Sequence, residues 1–121
     1  MNSGFDVGAI LRLGVPTKLY KAGERIFLED DAGDAMYVVL SGAVDVIGFG
    51  RVLERVGAGG VFGEMAVIND IPRSAAALAS EPTEVAVIDR ATFLQLAGEE
   101  PEFALSVIQL MTERVRARMT H

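Results

Sequence analysis

Phe62-Gly63-Glu64-Met65-Ala66-Val67-Ile68-Asn69-Asp70-Ile71-Pro72-Arg73-Ser74-Ala75-Ala76 is the stretch on which the reading of this chain turns. It sets one carboxylate and one guanidinium nine residues apart, separated by a short apolar helical turn and a proline-marked loop. Phe62 closes an extended piece, and Gly63 lets the backbone approach a ligand with no Cβ in the way. Glu64 to Ile68 reads as about one helical turn, whose leading N–H groups are free to meet an anion. Arg73 suits a two-pronged, charge-assisted bond to phosphate that lysine does not reproduce. Glu64 is an acceptor suited to a sugar hydroxyl. Ala66, Ala75 and Ala76 are small enough to leave room beside the strand.

Each residue also has a plainer reading. A glutamate in the first turn of a helix is favourable by itself, by roughly 0.3–1 kcal/mol. An arginine after a proline is commonly a solvated turn residue, and Ser74 and the alanines fit an ordinary strand. The specificity lies in the combination.

Upstream of this stretch the chain has the period of short strands. Lys18-Leu19-Tyr20, Arg25-Ile26-Phe27-Leu28, Met36-Tyr37-Val38-Val39-Leu40, Ala43-Val44-Asp45-Val46-Ile47 and Arg51-Val52-Leu53-Glu54-Arg55-Val56 are each bounded by glycine, aspartate or serine breakers. Before them, Phe5, Ala9 and Leu13, with Ile10 widening their stripe, predict a short helix that Gly14 and Pro16 end. Downstream, Ser74 to Ala79 and Glu84 to Ile88 read as two more strands. Spacing of this kind points to an antiparallel roll or barrel rather than βαβ units. After Asp89 the period returns to helical. Asp89 is placed to cap a helix over Thr92 to Leu96, with Gly98 as its stop. Pro101 opens a last helix whose expected apolar stripe is Ala104, Val107, Ile108, Met111, Val115 and Met119. Arg114, Arg116 and Arg118 load its C-terminal turns, where they complement the helix dipole.

Composition bounds the function. A chain of 121 residues, half of them apolar, makes one domain with one sizeable core. The expected division is an N-terminal helical segment over 1–16, a β-roll over 17–89 with the decisive stretch at 62–75, and C-terminal helices over 90–121. There is no cysteine, which excludes disulfides and thiolate metal sites and fits a reducing cytoplasm. The one histidine, His121, is the final residue, so a histidine-based metal centre is not expected. A net charge of −6 repels a phosphate polymer, so no nucleic-acid partner is expected, although a small anion can bind a locally positive pocket. No apolar run reaches the roughly 20 residues of a spanning helix, and the N-terminus lacks the basic start and long apolar core of a signal peptide. No membrane partner is expected.

The chain resembles the cyclic nucleotide-binding domain family, which includes the sensor domain of the bacterial catabolite activator protein, regulatory subunits of cyclic AMP-dependent kinase and cyclic nucleotide-gated channels. Phe62-Gly63-Glu64-Met65-Ala66 and Arg73-Ser74-Ala75 match its phosphate-binding cassette. Ala22-Gly23-Glu24-Arg25-Ile26-Phe27 and the run from Gly33 to Val44 match its early strands and turn glycines, and Phe93, Pro101 and the last helix match its closing helices. The resemblance implies an eight-stranded antiparallel β-roll, jelly-roll-like, with a short N-terminal helix and two C-terminal helices. It implies that Glu64 binds the ribose 2′-hydroxyl, Arg73 the cyclic phosphate and Ser74 the phosphate or base. Backbone around Gly63, Met65 and Ala66 completes the cradle. Val115, Arg118 and Met119 are candidates for capping the purine, and an arginine can stack on a purine face. Two positions depart from the pattern: Gly60 stands where an acidic residue is common, and Asp30 where a glycine is common.

Gene activators of this family continue into a helix-turn-helix domain, whereas this chain stops after its long helix. The expectation is therefore a bacterial cytoplasmic sensor for a cyclic nucleotide, cyclic AMP ahead of cyclic GMP, with no catalysis and no cofactor beyond that ligand. It would signal through its last helix to an unidentified protein effector, with a second copy docking on that helix as a further candidate partner. The alternative is an interaction or oligomerisation module that keeps the β-roll without the ligand. A metal-dependent enzyme of the β-roll class needs clustered histidines that this chain lacks.

Overall fold

The computed structural model of the chain describes residues 11–69 and 71–119, with side chains through residue 117. Of the helix expected over Phe5 to Leu13, residues 11 and 12 are helical, Leu13 already lies in the turn that ends at Gly14, and residues 5–10 lie outside the described residues.

Eight strands follow: β1 (Thr17–Tyr20), β2 (Arg25–Phe27), β3 (Ala35–Ser41), β4 (Ala43–Gly48), β5 (Arg51–Gly57), β6 (Val61–Phe62), β7 (Ala76–Ala79) and β8 (Thr83–Asp89). Three helices join them: α1 (Glu64–Asn69) between β6 and β7, then α2 (Arg90–Glu99) and α3 (Pro101–Met119) at the end. The strands form two four-stranded sheets, in the orders β1-β8-β3-β6 and β2-β7-β4-β5, and every pairing is antiparallel. The fold is thus an eight-stranded roll with helices packed outside it, as the sequence predicts.

The two-residue period of a strand explains how one sheet serves two cores. In β3, Met36 and Val38 point to a cluster with Ile88 of β8, Phe93 and Leu96 of α2, and Val107 and Leu110 of α3. The alternate residue Val39 points into the roll, where it meets Val44, Val56, Phe62, Ala77 and Val85. A strand buried on both faces reads as a continuous apolar run, which is why Met36 to Leu40 shows no polar alternation. Burying a side chain of this size is worth roughly 1.5–3 kcal/mol.

Three local readings are corrected. Ser74 and Ala75 form a bend, and β7 starts only at Ala76. Gly98 does not stop α2, which runs through it to Glu99. The stop is Pro101, whose ring disfavours helical backbone at the residue before it, and Glu100 sits there at φ −135° and ψ 83°. The expected cap holds: the Asp89 carboxylate accepts from the Thr92 N–H at 2.8 Å. In α3 the buried face follows the expected stripe only in part: Val107 is buried and Ala104 and Met111 are half-buried on it, and Leu110 joins them. Ile108 and Val115 are 54% and 49% exposed. The helix is rolled so that Arg114 follows Val107 and Leu110 on the inward side, where two carboxylates meet it.

Candidate functional site

Phe62, Gly63, Glu64, Met65, Ala66, Arg73, Ser74 and Ala75 all line one hollow, closed on the far side by Glu54, Met111, Arg114 and Val115. The decisive stretch therefore folds back on itself, and Glu64 and Arg73 come to the same cavity. Arg118 and Met119 fall outside the described side chains. Val115 does border the hollow.

Gly63 makes the turn from β6 into α1 at φ +78°, a conformation that favours glycine. A Cβ there would stand 2.9 Å from Arg73 Nη1. The turn presents Glu64 as the first residue of α1, buried at 4% exposure. Ahead of it, Phe62 stacks on Tyr37 with ring centroids 5.0 Å apart, and Phe27 tilts against both at 6.0 Å.

This aromatic floor carries Arg73. Its guanidinium carbon lies 4.1 Å from the Phe27 ring centroid, within the range of a cation–π contact. Nη1 donates to the Gly63 carbonyl at 2.9 Å and Nη2 to the Ala35 carbonyl at 2.8 Å. Nε is buried and has no hydrogen-bond partner among the described residues. The Arg73 backbone is tied as well: its N–H donates to Asp31 O at 2.9 Å, and its carbonyl accepts from the Asp30 N–H at 2.8 Å. Asp30 makes that bond at φ +72°, a left-handed position where glycine carries no steric penalty. Burial pulls the Arg73 guanidinium below its ordinary pKa, against the opposing effects of Tyr37, Asp34 and Glu64. A buried donor without a partner costs on the order of 1–3 kcal/mol, so Arg73 gains from an anionic acceptor.

Two further residues belong to the site and escape the sequence reading. Arg114 reaches in from α3 and is bonded to both Glu54 and Glu64. Its Nε and Nη2 donate to the two Glu54 carboxylate oxygens at 2.8 and 3.0 Å. Its Nη1 donates to Glu64 Oε1 at 2.8 Å, and Nη2 also donates to the Val61 carbonyl. Burial opposes its charge, but the bonds and charges of Glu54 and Glu64 outweigh that and raise its pKa. The sequence signal was available: Leu110 three residues beyond Val107, and Arg114 four beyond Leu110, continue one helix face. A cation there needs a buried partner.

The hollow left between these side chains is about 70 Å³. Pockets that enclose small ligands run to roughly 300–1,000 Å³. Chemically the site offers a buried guanidinium, a buried carboxylate and a glycine turn around a small apolar floor. It has acceptors for hydroxyls and donors for an anion. Among the described residues no group of His, Cys, Asp and Glu is placed to hold a metal. No helix among them is long and apolar enough to cross a membrane.

Comparison with known proteins bears on what this arrangement is. The family model for the cyclic nucleotide-binding domain matches residues 17–100, well over half of the chain. The cyclic AMP receptor protein of Thermus thermophilus is 36% identical over 104 residues, covering 82% of this chain and 48% of that protein. A cAMP-dependent protein kinase regulatory subunit of Yarrowia lipolytica is 39% identical over 75 residues, covering 62% of this chain and 20% of that one. The chain thus spans about half or less of the length of these relatives. In structure, the Thermus thermophilus catabolite activator protein superposes with a TM-score of 0.83 at 34% identity, over 94% of this chain and 55% of the other. With the roll, the cassette geometry and the family match in agreement, this chain belongs to the cyclic nucleotide-binding domain family.

Proposed function

We propose that the chain is a regulatory module that binds a cyclic nucleotide, cyclic AMP ahead of cyclic GMP, and has no reaction of its own. The observation that carries this is the convergence of buried Glu64 and buried Arg73 on one hollow. In this reading Arg73 takes the cyclic phosphate and Glu64 the ribose 2′-hydroxyl. Ser74, which is exposed at the rim, reaches the phosphate or base. Gly63, Met65, Ala66 and Ala75 shape the cradle. The preference for cyclic AMP is supported by the names of the two relatives. Occupancy reaches the outside through α3, because Arg114 joins that helix to the ribose carboxylate. A ligand shifts such an equilibrium only by binding one placement of the helix better than another.

A second reading, an interaction module without ligand, is favoured by the small size of the hollow and by the outer face of α3. Leu105, Ile108 and Val115 are exposed there, beside an apolar groove of about 620 Å³ that also includes Ile68 and Phe93. In either reading this face is where a second copy or an effector docks. Calorimetric titration of nucleotide-stripped protein with cyclic AMP and cyclic GMP separates the two. Binding that falls on the order of a hundredfold in Arg73→Ala, the worth of one or two hydrogen bonds to a charged group, supports the sensor. No heat with either nucleotide refutes it and leaves the interaction module.

A further inference from the structure

Beyond Glu64 the hollow is walled by Val46, Glu54, Met111, Arg114 and Val115, and Val46 is the cross-strand neighbour of Glu54. In a nucleoside the base is attached to the carbon next to the one that bears the 2′-hydroxyl. A ribose held by Glu64 through that hydroxyl, with its phosphate on Arg73, therefore turns its base toward this far end. The far end is also where the hollow has room to widen. Met111 and Val115 line both the hollow and the apolar groove outside α3, so the two spaces share a wall one side chain thick. Most of this end is apolar, and the donors of Arg114 are committed to Glu54, Glu64 and the Val61 carbonyl. Glu54 is different. An ionised carboxylate offers about four acceptor sites, and Arg114 takes one on each oxygen, at 2.8 and 3.0 Å. The side chain is 37% exposed, so the remaining site on each oxygen is within reach of a ligand. The forked bond to Arg114 also fixes the plane in which those sites lie.

We infer that Glu54 is the residue that reads the base, its carboxylate accepting one N–H from an exocyclic amine. The inference rests on the cyclic-nucleotide reading and names the source of its base preference. With Arg114 seated in the fork of the carboxylate, the free acceptor sites lie on its outer sides and point apart. They serve a single amine, and the adjacent pair of N–H groups on guanine gains no second bond from them. A ring carbonyl turned toward the same carboxylate is repelled. Adenine carries an amine where guanine carries a carbonyl, so the arrangement favours adenine.

The worth of the amine is the readout. It is the ratio of the dissociation constants of two nucleotides, the cyclic monophosphate of purine riboside, which lacks the amine, and cyclic AMP. The full chain is titrated with both as wild type, Glu54→Leu and Glu54→Gln. Wild type is expected to favour cyclic AMP on the order of tenfold or more, as one hydrogen bond to a charged group implies. In Glu54→Leu the ratio is expected to fall to about one. Both nucleotides keep the same ribose and phosphate contacts, so any disturbance of Arg114 cancels in the ratio. Glu54→Gln keeps the shape of the side chain and decides the matter if Glu54→Leu does not fold. Its neutral acceptor is expected to lower the ratio severalfold. A wild-type ratio near one, or a ratio that the variants leave unmoved, overturns the inference while leaving the sensor reading intact. Wild type that binds neither nucleotide overturns both.

Discussion

Replacing Gly33 by alanine puts a methyl group where the Arg73 side chain already lies. An ideal Cβ at residue 33 falls 2.5 Å from Arg73 Nε and 2.7 Å from both Cζ and Nη2, about an ångström inside ordinary contact. The backbone angle at Gly33 is not in the left-handed region, so the clash alone is tested. An arginine end group normally swings away at little cost. This one is pinned by the Phe27 ring on one side and by the Gly63 and Ala35 carbonyls at 2.9 and 2.8 Å. Giving up one such bond costs roughly 1.5–3 kcal/mol, and overpacking costs about 1–3 kcal/mol. The irregular loop around Gly33 relaxes part of this, so a net loss of about 2 kcal/mol is expected, or roughly 8 °C in Tm at this chain length. Nucleotide affinity should fall at least about tenfold, because Arg73 is moved from its seat. The assay is thermal melting and calorimetric titration beside Gly57→Ala, where the added Cβ meets nothing within 4 Å. If Gly33→Ala melts and binds like Gly57→Ala, the packing of Arg73 against the loop is refuted, and with it the view that the Arg73 side chain is held in place in advance of any ligand.

Three further outcomes follow from the same coordinates. Gly98→Ala should stabilise the chain by about 0.5–1 kcal/mol, since Gly98 lies inside α2 with open space for a methyl; a lowered urea midpoint would contradict the helix assignment. Phe49→Asn should raise the melting temperature. Phe49 is 93% exposed and sits at φ +55° beside Gly50, in a hairpin turn that asparagine suits; an unchanged or lower midpoint would count against that turn. Asp89→Ala should lower stability at neutral pH. The folded carboxylate, held by the Thr92 N–H, has its pKa depressed below the ordinary value. Its contribution is present above the unfolded pKa and lost as pH falls through the folded one. The gap between variant and wild type should therefore close on acidification below about pH 4, and a gap constant from pH 7 to 2 would exclude this source.

How much of this was legible in the sequence depends on whether local chemistry or distant partners decide. The strands are legible because their breakers are local: glycine, aspartate and serine mark each turn from Ala22 to Gly50. The cassette is legible for the same reason, since Gly63, Glu64 and Arg73 are fixed by a turn, a helix start and a proline-marked loop. Gly98 misleads because a glycine is only permission for a stop, whereas Pro101 enforces one. The inward face of α3 misleads because an arginine reads as solvent-facing until its partners are known. Those partners, Glu54 and Glu64, lie 60 and 50 residues away. Asp30 shows the opposite case. It stands where a glycine is common, a local signal from which no conformation was drawn, and the structure places it at φ +72°.

The two-sided burial of β3 also governs where this domain accepts added chain. Met36 and Val38 belong to one core and Val39 to the other, so one inserted residue in this strand exchanges the two sets and spoils both. The Phe49–Gly50 tip belongs to neither core, and its hairpin leads straight back to Glu54 beside Arg114. A fluorescent reporter spliced into that tip would leave the packing untouched while sitting one strand away from the ion pairs that tie α3 to the hollow. That makes it the natural place to turn this domain into an optical gauge of its own occupancy.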